Sequence, residues 1–154
     1  MYVNLKGSKK IAVSDNFTLY EFLYSDTAER LKLVQFQEQI SLSCVDNIKL
    51  LCNYVLQPLR DYLGEPVKIT SGYRSIQLNN AIKGVKNSEH LQGKAADIQT
   101  RRLKEAFDWI KDNCVFNQLI WENKQKNVWI HVSYSADNNK KEVLVYENGK
   151  YVHL

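Results

Sequence analysis

Ser88-Glu89-His90-Leu91-Gln92-Gly93-Lys94-Ala95-Ala96-Asp97 places a histidine and an aspartate seven positions apart, with one glycine and two alanines between them. Imidazole and carboxylate are both zinc ligands, and small intervening residues leave space and backbone freedom for two side chains to converge on one ion. By itself the pattern fits half of a metal site, and it also fits a surface turn leading into a strand. A third ligand decides between the two.

The candidate is His131. In Val128-Trp129-Ile130-His131-Val132-Ser133 the β-branched residues occupy even positions, so strand alternation puts Trp129, His131 and Ser133 on the opposite face. Gln118 to Glu122 alternates in the same way, and Asn123 to Asn127 reads as the loop of a hairpin joining the two strands. A slip of one residue would turn every side chain over, so the pairing can be tested by asking which register matches apolar residues. Pairing Glu122 with Trp129 sets Leu119 and Trp121 against Val132 and Ile130 on the core face. The other face then carries Gln118, Ile120, Glu122, Trp129, His131 and Ser133, with Glu122 a diagonal neighbour of His131. In Ala95-Ala96-Asp97-Ile98 the same logic sends Ala96 and Ile98 to the core and Asp97 away from it. His90, Asp97 and His131, with Glu122 nearby, match a catalytic zinc site: three protein ligands and a position left open for water.

The rest of the chain fits one soluble domain. Its 154 residues are 44% hydrophobic and 25% charged, enough to bury a real core. No apolar run approaches the length of a membrane span, and the N-terminus lacks the apolar stretch of a secretory signal, so synthesis in the cytoplasm and release by another route are expected. The net charge of +4 is mild and the lysines are scattered, which disfavours nucleic acid as a partner. Cys44, Cys52 and Cys114 show no pairing pattern and read as buried, reduced thiols.

Residues 1 to 15 read as a loosely held arm within a single domain spanning 1 to 154. An aromatic-rich segment from Phe17 to Tyr24 is expected to cover the core, followed by a helix over Thr27 to Gln39. Ser43 is the expected N-cap of a main helix whose buried face is Ile48, Leu51, Cys52, Val55, Leu59 and Tyr62, kinked at Pro58 and ended by Gly64. A strand at Val67 to Thr70, a helix from Ser75 to Lys83 stopped at Gly84, and a helix capped by Thr100 come next. Lys141 to Glu147 and Lys150 to Leu154 flank Asn148-Gly149, a strong tight-turn signal. Helices mainly first and antiparallel strands later argue an α+β fold, with helices packed on a small antiparallel sheet.

Three motifs in order, Ser71-Gly72-Tyr73-Arg74-Ser75, then Ser88-x-His90-x-x-Gly93-x-Ala95-x-Asp97, then Trp129-x-His131, resemble the zinc peptidases of the D-alanyl-D-alanine carboxypeptidase family, peptidase M15. Val55 to Arg60 and Gln118-Leu119-Ile120-Trp121-Glu122 are similar to a small single-domain branch of it. The resemblance implies a fold like that of the hedgehog metal-binding domain. It implies zinc held by His90, Asp97 and His131, with Glu122 as general base acting on the attacking water. Arg74 would bind substrate near the scissile carbonyl, or form a structural ion pair or helix-cap contact. Tyr73 and Trp129 would wall the cleft, and Ser88 would touch substrate or brace its loop. One departure stands out: where better-known members carry an acidic residue three positions before the second histidine, this chain has Val128. His153 belongs to no motif.

The implied activity is hydrolysis of a peptidoglycan stem peptide by a monomeric enzyme of the D-Ala-D-Ala carboxypeptidase type acting on the bacterial wall. Two alternatives use the same residues: a phage-type endolysin cutting between L-alanine and D-glutamate, and a zinc-containing wall-binding module without turnover.

Overall fold

The computed structural model describes residues 1–154. Its N-terminal stretch is not a loose arm. Val3, Leu5, Ser8 and Val13 are buried, and the Val3 and Leu5 N–H groups donate to Glu38 O (2.8 Å) and Glu38 Oε1 (2.7 Å). These apolar residues are isolated among polar ones and show no period, so only tertiary contact reveals their place. A 3-10 turn at Gly7–Lys10 leads into a two-stranded ribbon, β1 (Ala12–Ser14) and β2 (Phe17–Thr18). Helix α1 (Leu19–Leu23) buries Leu19, Phe22 and Leu23, and the Glu21 carboxylate accepts from the Thr18 N–H at its start (2.7 Å).

The helix expected over Thr27 to Gln39 is two short ones, α2 (Asp26–Arg30) and α3 (Val34–Gln37). Lys32 between them takes φ 58°, a left-handed conformation that ends a helix. The main helix α4 (Leu42–Leu51) is capped by Ser41, whose hydroxyl accepts from the Cys44 N–H, rather than by Ser43. A π-helical turn (Cys52–Leu56) and α5 (Gln57–Leu63) continue it. Pro58 has no N–H to give and its ring crowds the preceding turn, so the backbone widens one turn upstream. Gly64 ends α5 at φ 64°. Tyr62 leaves the expected apolar face: it is half exposed and stacks on Trp109, ring centroids 5.0 Å apart.

β3 (Lys68–Ser71) and α6 (Ile76–Ala81) follow, the latter capped by Ser75. The left-handed residue after α6 is Lys83 (φ 57°), not Gly84; Gly84 packs against the Asn79 side chain, and a Cβ there would lie 2.1 Å from Oδ1 and force that amide to move. A 3-10 turn (Glu89–Gln92) carries His90 and closes at Gly93 before β4 (Ala95–Gln99). Thr100 caps nothing; its hydroxyl donates to Glu65 Oε1 (2.8 Å), and α7 (Leu103–Asn113) starts later. α7 buries Ala106, Phe107 and Ile110, and burying side chains the size of the last two stabilises by about 1.5–3 kcal/mol each.

β5 (Gln118–Lys124) and β6 (Asn127–Ser133) form the expected hairpin in the expected register, Glu122 opposite Trp129, Trp121 opposite Ile130 and Leu119 opposite Val132. Gln125 (φ 50°) and Lys126 (φ 70°) make a two-residue turn, tighter than the five-residue loop expected. β7 (Glu142–Glu147) and β8 (Lys150–His153) form the second hairpin through Asn148 (φ 51°) and Gly149 (φ 82°). The main sheet runs β3-β4-β6-β5-β7-β8, and it is mixed: β7 lies parallel to β5, every other pair being antiparallel. The fold is α+β, with a core cluster of 29 residues formed mainly between the helices and one face of this sheet. No helix is long and apolar enough to cross a membrane.

Gly93 is the backbone pivot of the His90 turn. Its φ is +69°, and a Cβ would meet the Cys44 carbonyl oxygen of α4 at 2.5 Å. Gly93→Ala is expected to destabilise by about 1–3 kcal/mol. Thermal unfolding should register this as a fall of roughly 2–4 °C per kcal/mol; an unchanged melting temperature would contradict the close packing of this turn against α4.

Candidate metal centre

Strand alternation brings the three expected ligands together. Asp97 on β4 stands directly opposite His131 on β6, facing away from Ala96 and Ile98. His90 reaches the same point from the 3-10 turn before β4. The ligand atoms of His90, Asp97 and His131 all lie within 4.8 Å of one another. Asp97 Oδ1 is 3.4 Å from His90 Nε2 and 3.0 Å from His131 Nδ1. Donors bound tetrahedrally to zinc at about 2.0–2.2 Å stand about 3.3 Å apart, so these spacings fit such an ion.

The turn is fixed from two sides. α4 supports it through Asn47, whose side-chain amide donates to Gln92 O (2.9 Å), and through Cys44, half-buried rather than fully buried, whose thiol contacts Leu91 O (3.6 Å). Cys52 and Cys114 are buried, and all three cysteines are free. The Ser71–Ser75 segment supports the other side. Gly72 O accepts from His90 Nδ1 (2.7 Å) and the Arg74 N–H donates to His90 O (3.1 Å). Gly72 must be glycine here, since a Cβ would lie 2.6 Å from Phe22 Cα. Ser88 is buried and its hydroxyl accepts from the His90 N–H (3.3 Å), so it braces the turn at the cleft edge.

These contacts determine the charge pattern. A carbonyl oxygen only accepts, so His90 Nδ1 carries the proton and its Nε2 presents a lone pair to the site. Burial pushes the His90 imidazolium below its ordinary range, outweighing the neighbouring Asp97 carboxylate. Burial alone would raise the Asp97 carboxyl, but His90 and His131 hold it well below the usual carboxylate range. A neutral His90 therefore directs a lone pair at an ionised carboxylate oxygen across 3.4 Å, an arrangement that a cation between them relieves. The donor set fits a divalent metal.

Arg74 holds the outer side of the carboxylate. Its guanidinium donates to Asp97 Oδ2 (3.4 Å) and, through Nε, to Ser71 Oγ (3.2 Å), and burial lowers its pKa despite Asp97. A bulge between Ile69 and Ser71 aligns Ser71, rather than Thr70, with Asp97. Arg74 also lines the cleft over the site, as do Trp129, Ile120 and Glu122. Tyr73 does not: it is 9% exposed, belongs to the core cluster, and its hydroxyl donates to Gln39 O (3.4 Å). Adjacent residues of an extended segment point to opposite sides, so with Arg74 in the cleft Tyr73 is turned into the core. His153 is exposed and near Glu142 (4.0 Å), away from the centre.

Glu122 lies two residues along β5 from Ile120, the partner of His131, on the same face. Its carboxylate is buried; Oε1 accepts from the Tyr151 hydroxyl (3.2 Å), while Oε2 has no hydrogen-bond partner and lies 3.8 Å from Lys124 Nζ. Tyr151 comes from β8 and has no signal in the sequence, because the parallel β5–β7 pairing that brings it here joins segments with no shared turn. Gln37 is a second unforeseen residue. Fully buried, its amide donates to Leu23 O and Tyr73 O (both 2.9 Å) and its carbonyl accepts from the Ser75 N–H (2.7 Å), holding the Arg74 segment.

A model of the peptidase M15 family matches residues 16–133, which contain the whole His90, Asp97, His131 group. The chain belongs to the peptidase M15 family, a family of zinc metallopeptidases. No curated protein matches it.

Titration of metal-free protein with zinc sulfate is expected to give one site, absent in His90→Ala and His131→Ala. Zinc at 100 times its dissociation constant should stabilise the fold by about 2.7 kcal/mol. Equal zinc binding by the wild type and both variants would contradict the assignment of this centre.

Proposed function

We propose that the chain is a zinc-dependent peptidase acting on peptidoglycan stem peptides, with D-Ala-D-Ala carboxypeptidase activity the first assignment. The observation that carries the reading is the convergence of His90 Nε2, Asp97 Oδ1 and His131 Nδ1 beside a buried Glu122 carboxylate in one open cleft. His90, Asp97 and His131 hold the zinc, which when bound lowers the pKa of water and polarises a carbonyl as a Lewis acid.

Glu122 is the general base. Its free Oε2 takes a proton from the attacking water and returns it to the amine nitrogen as the peptide C–N bond breaks. Arg74 has five N–H donors, of which Ser71 and Asp97 engage two; the remainder are available to the carbonyl oxygen as it gains negative charge. Trp129, half-buried on the cleft wall, supplies an apolar surface for the substrate, and Ser88 keeps the turn in place. Lys124, which lines the cleft 3.8 Å from Glu122 Oε2, offers a cation to a carboxylate of the substrate.

Glu122→Gln is expected to keep zinc and its melting temperature while losing about 10²–10⁴-fold in turnover. Chromatography of muropeptides released by a muramidase identifies the bond: loss of one terminal alanine supports the carboxypeptidase, and cleavage at the L-alanine to D-glutamate bond replaces it with the endolysin reading. Zinc binding with no cleavage of any muropeptide leaves a non-catalytic wall-binding module.

A further inference from the structure

Beyond residue 133, where the family match ends, the chain adds β7 and β8 to the edge of β5. The registers align side chains in two rows on the site face. One row is Asp97, His131, Ile120 and Leu144; the next is Trp129, Glu122, Tyr146 and Tyr151. The first is the metal row. The second is centred on the carboxylate, with one aromatic side chain from each of three other strands.

Resting on the assignment of Glu122 as base, we propose that Tyr151 is a positioning residue for it: the Tyr151 hydroxyl holds Oε1, so that Oε2, which has no hydrogen bond of its own, is left as the proton acceptor. The hydroxyl is 3.2 Å from Oε1, and Oε2 is buried with no hydrogen bond. Tyr151 is itself fixed against Tyr146, ring centroids 4.7 Å apart. Tyr151 also lines the cleft with Glu122 and His131, although it lies 20 residues beyond His131 in the chain. Burial and Glu122 push the Tyr151 phenol up to about 12, so its hydroxyl keeps its proton at neutral pH.

Lys124 completes the setting. Its ammonium lies 3.8 Å from Oε2, 4.5 Å from the Tyr146 ring centroid and 5.8 Å from that of Trp129. The titratable and charged groups around Glu122 are thus Lys124 on its own strand, Tyr146 on β7, Tyr151 on β8, and beyond them His131 on β6 and Asp97 on β4.

The test is Tyr151→Phe in the zinc-loaded protein, which keeps the ring and removes one hydroxyl. A hydrogen bond to a charged group is worth about one pH unit, so the acid limb of kcat/KM on muramidase-released muropeptides should rise by about 1 unit, with KM and zinc affinity unchanged. Carbon-13 NMR of the Glu122 side-chain carboxyl should show the same upward shift without substrate, a change that loss of packing alone does not produce. Glu122→Gln, measured in parallel, separates the two levels. If it abolishes turnover while Tyr151→Phe leaves both the acid limb and the carboxyl titration in place, Tyr151 is structural and this inference fails. If Glu122→Gln retains turnover, the base assignment itself fails.

Discussion

Asp97 and His131 face each other across an antiparallel pair, and the 3.0 Å contact between them constrains the register of β4, β6 and everything paired to them. Shifting β6 by one residue would bring Ile130 or Val132 opposite Asp97 and take from its buried carboxylate the His131 contact, leaving Arg74 and His90 as its partners. The same shift would expel Ile130 and Val132, both fully buried, from the core. Core packing and the metal-type group therefore demand the same alignment. That agreement lets a small sheet hold Asp97 and His131 rigidly, while His90 is delivered by a turn locked onto Gly72 O and Arg74 N.

The face opposite the core is ordered by distance from this pair. Arg74, held through Nε by Ser71 Oγ, engages the outer oxygen of Asp97, leaving the inner oxygen to the two imidazoles. One step along the strands lies Glu122, with Trp129 on one side and Tyr146 on the other. A two-residue step on β5 thus separates the His90, Asp97 and His131 group from the Glu122 carboxylate, without any loop having to span the gap. Rigid strands fix such a spacing more closely than loops do.

The hairpin register is legible in the sequence because only one pairing matches Leu119 and Trp121 with Val132 and Ile130, and the face assignment of Asp97 and His131 follows from it. His90 is legible through its motif. Other features depend on contacts that no local pattern encodes. The parallel pairing of β7 with β5 joins segments separated by another strand, so Tyr151 has no visible link to Glu122. Lys32 and Lys83 adopt left-handed conformations without the glycine or asparagine that signals them, which is why a helix was expected to run through Lys32 and why Gly84 was expected to stop the next one. The motif containing Tyr73 suggests a cleft wall, yet its neighbour Arg74 faces the cleft and alternation turns the ring inward. Val3 and Leu5 lack the period that would have marked their stretch as packed.

The His90, Asp97 and His131 group could hold one metal ion beside Glu122. X-ray diffraction from crystals of the zinc-loaded protein, recorded on both sides of the zinc absorption edge, tests it directly. An anomalous peak is expected among His90 Nε2, Asp97 Oδ1 and His131 Nδ1, at about 2.0–2.2 Å from each. A fully loaded crystal with its zinc elsewhere, or with His90 Nε2 still against Asp97 Oδ1 and no ion between them, would contradict the account.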